Sequence, residues 1–184
     1  MWFLGIDIGK NNLGYCLFNG KDIRFNIFNS EKHLTRDIQK KYGSVIFART
    51  KIFNDFVLQL IKNYDISYVI IEKQVQKNII AKNIESCLCT LFIAYGINVK
   101  IYDPKNKFRY LNPEYNSKKK EHKKIVQTYA KTILKTYGYP LNYFNQFSKK
   151  DDISDAMCMA VFSWYEKYKI GSKVINLLQS EYII

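Results

Sequence analysis

Apolar residues form three short, strand-like runs at the beginning of the chain. They cover residues 2–9, 14–18 and 23–28, with turn signals at Asn11-Asn12 and Asn19-Gly20 between them. Asn-Gly between two such runs is a strong signal for a β-hairpin. The pattern therefore predicts that the chain begins with a three-stranded antiparallel meander.

Helical and strand patterns alternate after the meander, with a polar stretch without a clear period at residues 29–48. Apolar spacing of three and four predicts helices, and short β-rich runs predict strands. The helices are expected at about residues 47–63, 80–92, 125–137 and 152–168, and the strands at residues 67–72 and 97–102. This order fits an α/β fold in one domain over residues 1–184: a mixed five-stranded sheet, the meander plus two parallel strands, with helices on both faces.

Composition narrows the possible partners. The 184 residues are 47% hydrophobic and carry a formal charge of +13, so a globular chain with a polyanionic partner is expected. No apolar run is long enough to span a membrane, and no leader pattern precedes the first strand, so we expect a protein of a reducing compartment that does not bind membranes. The four cysteines and two histidines show no metal or redox spacing.

Four acidic residues stand in apolar settings. Asp7 lies at the centre of the run FLGIDIGK, Glu72 ends the fourth predicted strand, and Asp152 and Asp155 lie one turn apart on the last helix. Taken singly, Asp152 could be a helix cap and Glu72 a solvated turn residue. Asp7 is harder to explain in that way, because a buried and unpaired carboxylate costs several kcal/mol.

These carboxylates can meet if the first and fourth strands are neighbours. Side chains at the carboxyl ends of strands gather at one edge of an α/β sheet. Carboxylates that lie close together repel one another unless a hard cation such as Mg²⁺ or Mn²⁺ binds between them. We therefore predict a metal site at this edge, where two ions could support phosphodiester hydrolysis.

The most basic stretch lies between the fifth strand and the third helix. Residues 105–124 hold eight basic residues and only two glutamates. The basic residues are Lys105, Lys107, Arg109, Lys118, Lys119, Lys120, Lys123 and Lys124. As a group they are expected to bind the phosphates of a nucleic acid backbone, with an affinity that falls as salt rises.

Three segments, GIDIGKNNLGYCLF, YVIIEKQ and KKDDISDAMCMA, resemble the RuvC-like Holliday junction resolvases, and most of all the poxvirus members. The resemblance covers about residues 2–168. It implies an RNase H-like fold and a homodimer that cuts four-way DNA junctions by paired symmetric nicks with Mg²⁺ or Mn²⁺. It also implies that Asp7, Glu72, Asp152 and Asp155 are the catalytic metal ligands.

The family also uses a catalytic lysine near the start of the helix before the last one. Matching KKIVQTYA favours Lys123, whereas spacing back from Asp152 permits Lys120. The remaining basic residues are then expected to bind DNA: Lys105, Lys107, Arg109, Lys118, Lys119 and Lys124. A poxvirus origin implies action on genome concatemers in the host cytoplasm.

Three other interpretations follow from the same residues. GIDIGKNNLG also resembles the first phosphate loop of actin-like ATPases, but 184 residues with 8 glycines leave no room for two lobes and a second loop. A nuclease of the RNase H type that cuts RNA–DNA hybrids would use the same acids. A non-catalytic nucleic-acid-binding module would need only the basic residues.

Overall fold

A computed structural model of the chain describes residues 1–9, 11–103 and 119–168, with side chains in the last range from residue 123. The strands are β1 (Trp2–Ile8), β2 (Asn12–Phe18), β3 (Ile23–Asn29), β4 (Ile66–Glu72) and β5 (Asn98–Tyr102). The helices are α1 (Arg36–Tyr42), α2 (Val45–Asn63), α3 (Ile79–Ala94), α4 (Lys119–Thr136), α5 (Leu141–Asn145) and α6 (Lys150–Tyr168). A 3-10 helix, Ser30–His33, follows β3.

The five strands form one sheet in the order β3-β2-β1-β4-β5. β1 pairs antiparallel with β2, and β2 pairs antiparallel with β3, whereas β4 runs parallel to both β1 and β5. The predicted meander and the two added parallel strands are therefore confirmed. β1 lies in the middle of the sheet, and all its residues from Phe3 to Ile8 are buried.

Successive side chains of each strand point to opposite faces of the sheet, so the hydrophobic core forms one cluster on each face. Leu4, Ile6 and Ile8 of β1 pack with α2 and α3 on one face. On the other face, the inward side chains of β2 and β3, such as Phe18 and Phe25, pack with α4, α5 and α6. Helices on both faces were predicted, and the two clusters confirm them.

Helix α6 is buried more widely than its apolar spacing predicts. The sequence suggests one inward face, but nearly every residue from Ile153 to Tyr165 is buried. The reason is its position between two apolar surfaces, since it packs on the sheet and also on α4 through residues such as Tyr129 and Ile133. A helix enclosed in this way is apolar all round.

The sequence pattern did not predict two of the helices, α1 and α5. α1 lies in the stretch that showed no period, and none of its residues is buried, so there is no apolar stripe to detect. Its boundaries are nevertheless set locally by Thr35, whose side chain caps the first turn, and by Gly43 in the left-handed conformation. α5 has only five residues. No helix within the described ranges is both long and apolar enough to cross a membrane.

Candidate active site

Asp7 and Glu72 come next to each other on the two central parallel strands. The register of β1 and β4 pairs Ile6 with Ile71. The next residue along each strand is the acidic one, so Asp7 and Glu72 share one level at the carboxyl ends of both strands. The condition set by the sequence analysis, that the first and fourth strands are neighbours, is met.

Both carboxylates lie on the face of the sheet that α6 covers. Side chains two residues apart on a strand share a face. Gly5, two residues before Asp7, lies against α6, and Ile70, two residues before Glu72, packs with Met159 of α6. The two acids therefore belong to the same surface, with Asp7 buried to 8% exposure.

Glycines bring the first turn of α6 onto the sheet beside these acids. Gly14 pairs with Asp7 across β1 and β2. A Cβ atom on Gly14 would lie 2.4 Å from the carbonyl carbon and oxygen of Asp152, and one on Gly9 would lie 3.5 Å from Oδ2 of Asp152. The acidic turn of α6, with Asp155 one turn further along, is therefore held next to Asp7.

Asp152 carries the clearest electrostatic sign of a crowded acidic site. Burial raises the pKa of its carboxyl to about 6, and the charges of Asp151 and Asp155 add to the rise against the opposing charges of Lys149 and Lys123. The charged form of Asp152 is therefore disfavoured in the protein alone. A cation beside it would remove this cost.

Lys123 lies at the edge of the same site. Its ammonium group forms a 2.5 Å ion pair with Asp151, and this hydrogen bond raises the pKa of Lys123, with the charges of Asp152 and Asp155 acting in the same direction. Burial works to raise the pKa of Asp151, but Lys123 outweighs it and holds that pKa below its usual value. Asp151 is partly buried in this pair, with 24% of its side chain exposed.

The other predicted basic residues are distributed as follows. Lys124 is exposed at the start of α4. Lys120, the second candidate for the catalytic lysine, and Lys119 belong to α4, but their side chains are not among those described. Lys105, Lys107, Arg109 and Lys118 lie outside the described residues.

A residue that the sequence analysis missed holds the loop after Glu72. Glu85 of α3 is only 5% exposed, and its carboxylate accepts a 2.6 Å hydrogen bond from the backbone N–H of Gln74. The signal was present in the sequence, because Glu85 stands among the buried positions Ala81 and Leu88 of an apolar helix face.

The donor set fits a hard divalent cation. Four carboxylates at the end of adjacent strands and an adjoining helix turn supply the oxygen ligands that Mg²⁺ and Mn²⁺ prefer. Across the described residues, no three His, Cys, Asp or Glu side chains are already close enough to form a metal cluster. The fit therefore rests on the backbone positions of the four acids.

Comparison with known proteins is consistent with this architecture. The family described as Poxvirus A22 protein matches residues 1–167, whereas no curated protein sequence matches. The solved structure of Thermus thermophilus RuvC is 16% identical, with a TM-score of 0.60, covering 92% of this chain and 97% of that one. T. thermophilus RuvC in complex with a Holliday junction substrate is 15% identical, with a TM-score of 0.60, covering 91% and 96%.

A viral structure shares the same fold. The crystal structure of Fowlpox virus resolvase with its substrate Holliday junction DNA is 20% identical, with a TM-score of 0.53, covering 90% of this chain and 99% of that one. At these identities the likeness concerns the fold. It confirms the predicted RNase H-like architecture of the RuvC type.

Proposed function

Since the chain belongs to the Poxvirus A22 protein family, we propose that it is an endonuclease that resolves four-way DNA junctions by paired symmetric nicks. The observation that carries the proposal is the meeting of Asp7, Glu72 and the acidic turn of α6 at one edge of the sheet. Support also comes from the shared fold, because the structures of a bacterial RuvC and of the fowlpox resolvase contain Holliday junction DNA.

Asp7, Glu72, Asp152 and Asp155 would hold Mg²⁺ or Mn²⁺, with two ions per site. When bound, such ions activate a water molecule and stabilise the leaving oxygen in phosphodiester hydrolysis. The protein contributes by fixing the carboxylates on three rigid elements, β1, β4 and α6. The raised pKa of Asp152 supports the proposal, since the charges of Lys149 and Lys123 do not outweigh burial and the neighbouring acids.

Lys123 is the better candidate for the catalytic lysine, although Lys120 also fits the family pattern. Its ion pair with Asp151 keeps its ammonium group at the edge of the acidic site. A cation there can offset the negative charge that develops on the scissile phosphate. Lys105, Lys107, Arg109, Lys118, Lys119 and Lys124 would then neutralise backbone phosphates of the DNA arms.

A homodimer would place two such sites on opposite strands of one junction. Exposed apolar side chains stand at the starts of two helices, Val45, Ile46 and Phe47 on α2 and Ile79 and Ile80 on α3. Ile46 and Ile80 line one surface pocket, and we call the five residues the apolar patch. Apolar patches of this kind mark protein interfaces. We assign this patch to a second copy of the chain, because a two-fold arrangement is what paired nicks require.

We propose one nuclease domain over residues 1–184. The family is a poxvirus family, which supports action on viral genome concatemers in the replication sites of the host cytoplasm.

A cleavage assay with four substrates tests the proposal. Labelled four-way junction, linear duplex, flap and RNA–DNA hybrid are incubated with the protein in Mg²⁺ or Mn²⁺, and the cuts are mapped. Symmetric nicks on the junction are expected. Asp7→Asn and Glu72→Gln should abolish cleavage but leave junction binding in Ca²⁺ intact, whereas Asp37→Asn, on the exposed helix α1, should change neither.

Two outcomes would replace the proposal. Cleavage of the hybrid alone would identify an RNase H-type nuclease that uses the same acids. Junction binding without cleavage of any substrate, at any concentration of either metal, would identify a non-catalytic nucleic-acid-binding module.

A further inference from the structure

We propose that Glu85 is a positioning residue that fixes Glu72 for metal binding, an inference that rests on the proposed function. Glu72 is the last residue of β4, so the backbone that follows it determines how firmly its carboxylate is held. Glu85 bonds to that backbone from the neighbouring helix α3.

Three hydrogen bonds fix the chain just beyond Glu72. The N–H of Lys73 donates to the carbonyl oxygen of Tyr102 over 2.9 Å. The N–H of Gln74 donates to Oε2 of Glu85 over 2.6 Å, and Nε2 of Gln74 donates to the carbonyl oxygen of Glu72 over 3.1 Å. Lys73 is thus tied to β5 and Gln74 to α3, so the segment is anchored on both sides.

The anchor is a charged group in a buried position. Glu85 lies on the face of α3 that packs against the sheet, together with Ala81 and Leu88. Its second oxygen, Oε1, forms an ion pair with Lys82, three residues earlier on the same helix. With both oxygens engaged, the carboxylate is held in one orientation, and a charge-assisted bond to an N–H is about twice as strong as a neutral one.

The hydrogen bond of Glu85 matters to the site because it fixes the backbone that holds Glu72. Groups that act on a metal must be held to within about 0.5 Å by supporting residues. Glu85 does not reach the site itself, since it contacts the backbone two residues after Glu72. Its effect must therefore pass through the position of Glu72.

Two substitutions separate positioning from packing. Glu85→Met keeps the length of the side chain but removes the acceptor, whereas Glu85→Gln keeps an oxygen for the N–H of Gln74. Loss of a residue that supports a metal ligand typically costs about 10–100-fold in metal affinity or activity. We expect a loss of this size for Glu85→Met in Mn²⁺ affinity, measured by calorimetry on the full chain, and in junction cleavage, with Glu85→Gln restoring both to within about threefold.

The matched control is Glu166→Met, which removes an exposed glutamate that pairs with Lys100 on the surface. It should leave Mn²⁺ affinity and cleavage unchanged. A double-mutant cycle with Glu72→Gln gives the decisive readout, because Glu85→Met should weaken Mn²⁺ binding no further once Glu72 is lost. If Glu85→Met does not fold, Gln74→Pro removes the same hydrogen bond from its donor and should produce the same loss relative to Gln74→Ala, which loses only the side-chain bond to Glu72.

Wild-type Mn²⁺ affinity and cleavage in a folded Glu85→Met variant would overturn the inference, as would effects that add to those of Glu72→Gln. Failure of the proposed function is distinguished by the cleavage assay, because the wild-type chain would then cut no junction. The Mn²⁺ titrations would still decide whether Glu85 acts through Glu72.

Discussion

The backbone of Asp152 lies directly on Gly14. A Cβ atom at Gly14 would lie 2.4 Å from the carbonyl oxygen of Asp152, and one at Gly5 would lie 2.1 Å from the carbonyl oxygen of Ala156. Real Cβ atoms do not approach backbone so closely, so α6 can occupy this place only because both strand positions lack a side chain. Two glycines thus set the distance between the acids of the helix and those of the sheet.

Gly14→Ala should push α6 away from the sheet. We expect the free energy of unfolding to fall by about 1–3 kcal/mol, as for other overpacked cores. Cleavage should fall much further, since a displacement of about 1 Å can cost about 100-fold in rate. Chemical denaturation and the junction assay measure the two effects.

Gly96→Ala is the matched control for this change. Gly96 has a positive φ of 74°, and no atom lies within 4 Å of where its Cβ would be. It should cost about 1 kcal/mol through backbone strain alone and leave the cleavage rate of the folded protein unchanged. Equal activity losses in the two variants would contradict the role given to Gly14.

Asp152→Asn should stabilise the metal-free protein at pH 8 while abolishing cleavage. The folded-state pKa of Asp152 is about 6, above the ordinary value of 3.8, so the folded protein holds this proton more tightly than the unfolded chain does. The stability that protonated Asp152 contributes to the wild type is therefore lost as pH rises from about 4 through about 6. The advantage of the variant should accordingly be largest at pH 8 and shrink as pH falls toward 4.

Melting temperatures across this pH range, in EDTA and in Mn²⁺, test the prediction. Mn²⁺ should raise the melting temperature of the wild type and have much less effect on Asp152→Asn. A variant that melts below the wild type at pH 8 in EDTA would show that Asp152 is not a destabilising charge.

Lys123→Met should lower the rate of junction cleavage without weakening Mn²⁺ binding. A lysine that offsets charge on the phosphate acts in the transition state, and loss of one such group costs about 100–1,000-fold in kcat. Lys135→Met, exposed in the last turn of the same helix, serves as the comparison. If Lys120→Met causes the loss and Lys123→Met does not, the catalytic lysine is Lys120.

Replacement of Lys118, Lys119 and Lys124 by Gln should flatten the salt dependence of junction binding. Each lost phosphate contact reduces the slope of log K against log salt by about 0.9, so three contacts should reduce it by about 2.7. Titrations in Ca²⁺ at several salt concentrations measure the slope. The control is Lys21→Gln, on the exposed turn between β2 and β3. If the triple variant has the same slope as this control, the three lysines do not contact DNA phosphates.

Ile46→Glu should prevent the proposed dimer from forming, because it places a charge in the apolar patch. Light scattering measures the mass, and nicks that no longer occur in pairs are expected in the cleavage assay. Ile93→Glu provides the comparison, since Ile93 is similarly exposed, 62% against 69%, but lies at the other end of α3. If Ile93→Glu dissociates the dimer and Ile46→Glu does not, the dimer interface does not include the apolar patch.

Local sequence patterns predict much of this structure. The meander, the order of strands and helices, and the exceptional setting of Asp7 can all be read from neighbouring residues, because side-chain alternation and turn composition are local properties. α1 could not be found in this way, since a helix without buried residues has no apolar stripe. Glu85 could have been found, because it interrupts an apolar face.

The sequence by itself determined which residues are candidates for the chemistry. It could not decide that Asp7 lies beside Glu72, because their strands are far apart in the chain and their register depends on packing across the whole sheet. Nor could it predict that Asp151 forms an ion pair with Lys123 of α4. Pairing of β1 with β4 places the two strand acids side by side, and the acidic turn of α6 joins them because the helix lies on Gly5 and Gly14. Contact between such distant segments is fixed by shape and burial and not by local pattern.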